Sequence, residues 1–155
     1  MRPKGLLAPT AVSLMDAGYR FRALIDTADR SARGDQFEFF PAGSCGAVSE
    51  MFGKHLIDTY GIDSVYVSGR SSSGASHAWI ECLGLIIDLT GDQFLDDPLP
   101  PVFVSSDQHW HARRWSEDQL RSSISEILRD NVAQCHWAWG IAYRHLAVAL
   151  GSEAA

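Results

Sequence analysis

The chain has few cysteines, no long basic run and no long apolar run. Three cysteines, an odd number with no paired spacing, argue against a disulfide framework and leave thiols free for chemistry. A reducing, cytoplasmic setting is the expectation that follows. No apolar stretch approaches the ~20 residues needed to cross a bilayer. Met1 to Thr10 carries two basic residues but no long apolar core after them, so neither a membrane partner nor a signal peptide is expected. Basic charge is scarce: 13 Lys and Arg against 19 Asp and Glu give a net charge of -6, and the longest basic cluster is Arg113-Arg114. This argues against a nucleic-acid partner, which calls for a basic face. Internal repeats and long linkers are also missing, so one domain over residues 1–155 is expected. With 46% apolar residues, a chain of this length can bury a core of its own.

The pattern along the chain predicts its elements. From Thr10 to about Arg33, Leu14, Phe21, Leu24, Ile25 and Ala28 share one face at the helical period, with Gly18 as a point where the helix could divide. Phe37 to Pro41 reads as an extended entry, because a residue before proline avoids the helical region. Gly43-Ser44 reads as turn and cap, followed by a helix from Cys45 to Tyr60 that Gly61 ends. Ser64 to Gly69, His77 to Cys82 and Leu85 to Leu89 read as antiparallel strands, the first two joined by a Ser/Gly-rich loop and the last two turning around Gly84. Leu95 to Pro101 reads as surface loop and Val102 to Ser105 as a fourth strand. Ser116-Glu117-Asp118 has the composition of a helix start, with Leu120, Ile124, Ile127 and Leu128 as its buried face. Trp139, Tyr143, Leu146 and Leu150 mark a last helix. The order gives a segregated α+β fold, with extra helices at both ends of a small antiparallel sheet.

Three frames carry chemistry: Phe40-Pro41-Ala42-Gly43-Ser44-Cys45-Gly46, Ser76-His77-Ala78-Trp79-Ile80-Glu81, and Ile86-Ile87-Asp88-Leu89-Thr90. Cys45 falls at a helix start, where unpaired amides and the dipole favour a thiolate and can hold an oxyanion. His77 opens a strand at a sheet end, where it could serve as general base. Asp88 lies across a hairpin from it and is placed to orient the imidazole. Asp92, just past Thr90-Gly91, is the rival for that role. Cys82 and Cys135 lack a comparable frame and read as packing residues.

These frames resemble the transglutaminase-like superfamily, a branch related to the papain-like cysteine proteases. The resemblance covers about Phe39 to Phe94 and implies a cysteine-bearing helix packed on a sheet that carries histidine and aspartate on neighbouring strands. It implies Cys45 as nucleophile, His77 as base and Asp88 as orienter. Members include proteases, peptide:N-glycanases, transglutaminases and glutamine deamidases, so the expected activity is amide hydrolysis or acyl transfer on a peptide or protein through an acyl-thioester, with no cofactor and no metal. The chain lacks the tryptophan that eukaryotic transglutaminases carry shortly before the cysteine. Gln36 stands upstream, as an exposed loop residue or as an oxyanion donor of the papain kind.

Two other readings remain open. One is a catalytically idle binding domain that keeps the fold. The other is a metal-dependent hydrolase built on His109, His111 and Cys135, although the spacing is not that of a usual zinc site and His109 and His111 read rather as a surface or substrate-side patch. Asp92-Gln93-Phe94 lines the cleft or caps the third strand. The five tryptophans are expected in the core and Asp96-Asp97 in solvent.

Overall fold

A computed structural model of the chain describes residues 9–27, 37–130 and 143–144. Helix α1 spans Ala11–Thr27 and passes through Gly18 without a break. A methyl group there would meet Val102 Cγ1 at 2.8 Å and Leu89 Cδ2 at 3.0 Å, so the glycine admits close packing rather than dividing the helix. The rest of the segment expected to Arg33, and Gln36, fall outside the described residues.

Phe37 to Gly43 forms consecutive turns, not the extended entry expected from Pro41. Its backbone pairs with itself, Phe40 N donating to Phe37 O at 3.2 Å and Ala42 N to Phe39 O at 2.8 Å, and the Phe40–Pro41 peptide is cis. Helix α2 then runs over Cys45–Tyr60, with the bounds the sequence predicts. Gly61, left-handed at φ 66°, closes it by donating to Ile57 O at 2.8 Å. Ser44 does not cap the helix start as expected. Its hydroxyl donates to Pro41 O at 2.9 Å instead, holding the turn before the helix.

The sheet is built from β1 (Val65–Arg70), β2 (Ser76–Cys82), β3 (Leu85–Asp88), β4 (Phe103–Ser105) and β5 (Glu117–Ser123), in the order β4-β3-β2-β1-β5 with every pairing antiparallel. Leu83 and Gly84, both at positive φ, make the two-residue turn between β2 and β3. A short helix, α3 (His109–Arg114), precedes β5, and α4 (Ile124–Asp130) follows it. The helix expected to begin at Ser116 is therefore corrected: Glu117–Ser123 is an edge strand on β1, and only the second half of that pattern is helical. Leu120, counted on the helix's buried face, is 70% exposed, whereas Ile124 and Ile127 are buried as expected. The backbone groups of Glu117 to Ser123 pair with the free edge of β1, and that ladder overrides the local helix signal. Among the last-helix residues, Tyr143 is described and buried.

Both faces of the sheet are covered. On one, Leu14, Phe21 and Ile25 of α1 and Val48, Phe52 and Leu56 of α2 pack with Ile80, Ile87, Val104 and Ile124. On the other, Val67, Trp79 and Ile86 pack with Leu99, Trp110 and Trp115. Strand alternation puts His77 on the side of Trp79 and Asp88 on the side of Ile86, so both enter this second, aromatic layer. Leu99 thus makes the expected surface loop partly a core element, lying against Gly91.

Candidate active site

The site is assembled at the end of β2. His77 Nε2 donates to Asp88 Oδ2 at 2.7 Å, with both side chains fully buried. The two-residue turn sets the register that makes this possible, because Ile80 pairs with Ile87 and Cys82 with Leu85. The rival, Asp92, is engaged elsewhere: Arg22 of α1 donates to its Oδ1 at 2.7 Å and to the carbonyls of Leu89 and Pro101 at 3.1 and 3.0 Å. Asp92 and Arg22 thus tie α1 to the chain beyond β3.

Cys45, the first residue of α2, lies near enough to His77 to raise its pKa. Nδ1, the other ring nitrogen, is buried and has no hydrogen-bond partner among the described residues. Burial alone would push the His77 pKa down, but the Asp88 carboxylate and then the Cys45 thiol override it and raise the pKa to about 9. Burial would likewise raise the Asp88 carboxyl. His77 and His111 hold it well below the usual carboxylate range. Cys82, half-buried on β2 and away from any such partner, has its thiol pushed up to about 11 by burial.

The residue that the sequence reading misplaced is His111, taken with His109 as a surface patch or a metal ligand. It is not a surface patch: it is 2% exposed, and its Nε2 donates to the same Asp88 Oδ2 at 2.7 Å. Thr90 N donates to Asp88 Oδ1 at 3.1 Å. The buried hydrogen-bonded centre is therefore His77–Asp88–His111, with Cys45 near His77 but outside these hydrogen bonds. The available signal was the setting of His111, directly after Trp110 and one helical turn before Trp115, which places a histidine on a buried face. His109 is exposed and does not join the cluster, and Cys135 and His136 lie outside the described residues.

The three described tryptophans are buried in the core, as expected, and they also surround the site. The His77 ring has Phe94 at 4.9 Å edge-on, Trp115 at 5.3 Å, Trp79 at 5.8 Å and Trp110 at 5.9 Å. Phe94 and Trp115 are also walls of an open cleft of about 520 Å³, whose rim is formed by Ser71, Ser72, Ser73 and Arg114. Arg114 lies over the rings of Phe94, Trp110 and Trp115 at 5.2, 5.1 and 5.5 Å and pairs with Asp96.

His77, Asp88 and His111 offer ligand atoms within 4.8 Å of one another and so could hold a metal ion. Their 2.7 Å separations are hydrogen-bond lengths. Three ligands around a tetrahedral zinc at ~2.0–2.1 Å would stand ~3.3 Å apart, so a metal would have to spread the cluster. No family model matches the chain, and no match is found among curated proteins or solved structures.

Proposed function

We propose that the protein is a cysteine-dependent amide hydrolase or acyltransferase of the transglutaminase-like kind, acting on a peptide or protein through an acyl-thioester. The observation that carries this reading is the buried His77–Asp88 hydrogen bond, with Cys45 at a helix start and near enough to His77 to act on its protonation. A thiol, an imidazole and a carboxylate in that order are what nucleophilic catalysis of this kind requires.

The chemistry follows from the positions. His77 Nδ1 takes the thiol proton, and Asp88 holds the ring and stabilises the imidazolium. The thiolate attacks the amide carbonyl carbon. Backbone N–H groups at the start of α2 lie beside that sulfur and can receive the oxyanion, since no side chain caps them. The C–N bond breaks as His77 returns its proton to the leaving amine. The acyl group is left as a thioester on Cys45. Water, deprotonated by His77, then releases a carboxylic acid; an amine in its place releases a new amide. The cleft walled by Phe94 and Trp115, whose rings pack on His77, offers an extended substrate polar groups along Ser71, Ser72 and Ser73.

Incubating the chain with a panel of activated acyl donors, such as short peptide thioesters and anilides, and reading intact mass tests this. A hydroxylamine-labile acyl adduct on the unsubstituted chain, lost in Cys45→Ala, is expected. An adduct that persists in Cys45→Ala sinks the reading. The His77–Asp88–His111 cluster favours a second reading, a metal-dependent hydrolase. Stoichiometric metal in the purified protein, together with activity lost to chelators and unchanged by Cys45→Ala, would establish it instead.

A further inference from the structure

We propose that His111 is a positioning residue of the site: it fixes the Asp88 carboxylate so that Oδ2 stays on His77, which makes the working unit a relay of four residues rather than three. The inference rests on the thiol–imidazole reading above and deepens it.

A carboxylate at the end of one side chain can turn about its last bond. Asp88 is prevented from doing so by donors from three separate elements. Thr90 N, just past β3, holds Oδ1 at 3.1 Å. His77 on β2 and His111 on α3 both reach Oδ2, each at 2.7 Å. The two imidazoles lie nearly parallel, 20° between planes and 6.3 Å between centroids. His111 cannot swing away, because Trp79 at 4.6 Å, Trp110 at 4.7 Å and Phe103 at 5.6 Å surround its ring. Its Nδ1 meets no partner among the described residues, so Nε2 makes its one polar contact. A buried histidine kept only for packing would have no need to spend its single hydrogen bond on the carboxylate that orients the base. The charged and titratable groups that reach the pair are Asp88, His77 and, through His77, Cys45.

Two substitutions separate positioning from packing. His111→Gln keeps a side-chain N–H near the Nε2 position but loses the aromatic ring; His111→Phe keeps the ring and loses the donor. The readout is the rate of Cys45 alkylation by iodoacetamide at pH 6. The proposal expects His111→Phe to be slower than the unsubstituted chain by about tenfold, the worth of one hydrogen bond to a charged group, and His111→Gln to recover most of that loss. The opposite order, Phe retaining the rate and Gln losing it, overturns the proposal and makes His111 a packing residue. A rate unchanged in His77→Ala overturns both the proposal and the reading beneath it, whereas a rate lost in His77→Ala but kept in His111→Phe overturns the proposal alone. Should either His111 variant fail to fold, long-range ¹H–¹⁵N spectra of the unsubstituted chain decide the matter. A proton on His111 Nε2, shifted downfield, is expected; a ring protonated on Nδ1 alone overturns the proposal.

Discussion

Asp88 has no exposed side-chain surface, and it stays ionised because three N–H groups converge on it. Its charge in turn keeps His77 protonated well above the ordinary histidine range, up to about 9. That difference makes stability depend on pH. A histidine whose folded pKa lies above its unfolded value of about 6.5 binds a proton in the folded state that the unfolded chain has released. The stabilisation is complete below about 6.5, declines as pH rises, and is gone once pH passes about 9. The expected slope is on the order of 1 kcal/mol per pH unit across that window. Urea unfolding at pH 6, 7.5 and 9 should show it, and Asp88→Asn, which removes the partner charge, should flatten it. A stability that is level or rising over that window in the unsubstituted chain would mean that His77 is not held as an imidazolium.

At the scale of the element, Gly69 matters most for the site. It pairs with His77 across β1 and β2, and a methyl group on it would stand 2.1 Å from the backbone oxygen of Trp115. Backbone cannot yield as a flexible side chain does, so Gly69→Ala is expected to cost about 3 kcal/mol or more and to push the aromatic layer off His77. Equilibrium denaturation measures the loss; a variant within about 0.5 kcal/mol of the parent, the usual range for a neutral surface change, would show that this corner is looser than described. The elements differed in how readily they could be read. The bounds of α2 followed from Gly43-Ser44 and Gly61, and the β2–β3 hairpin from Gly84, because turn chemistry is local. The strand β5 did not, because Ser116-Glu117-Asp118 imitates a helix start and only pairing with a distant edge makes it a strand.

Across the whole molecule, the candidate site was legible where each residue brought its own frame. Cys45, His77 and Asp88 each stood in a distinct local pattern, and the choice of Asp88 over Asp92 followed from hairpin spacing. His111 was not legible as part of the site. Its neighbours His109 and Arg113 are exposed, and the packing of Trp110 and Trp115 against β2 that buries it is a long-range event. The same event closes the aromatic layer around His77. The account stands or falls on whether that assembly activates one thiol. The most direct measurement is the rate of iodoacetamide labelling at pH 6, resolved by peptide mapping, for Cys45 and Cys82 in the unsubstituted chain and in His77→Ala. Cys45 is predicted to label at least about tenfold faster than Cys82, whose thiol burial pushes up to about 11, and to lose that advantage in His77→Ala. Equal rates at the two cysteines, or a Cys45 rate indifferent to His77, would contradict it.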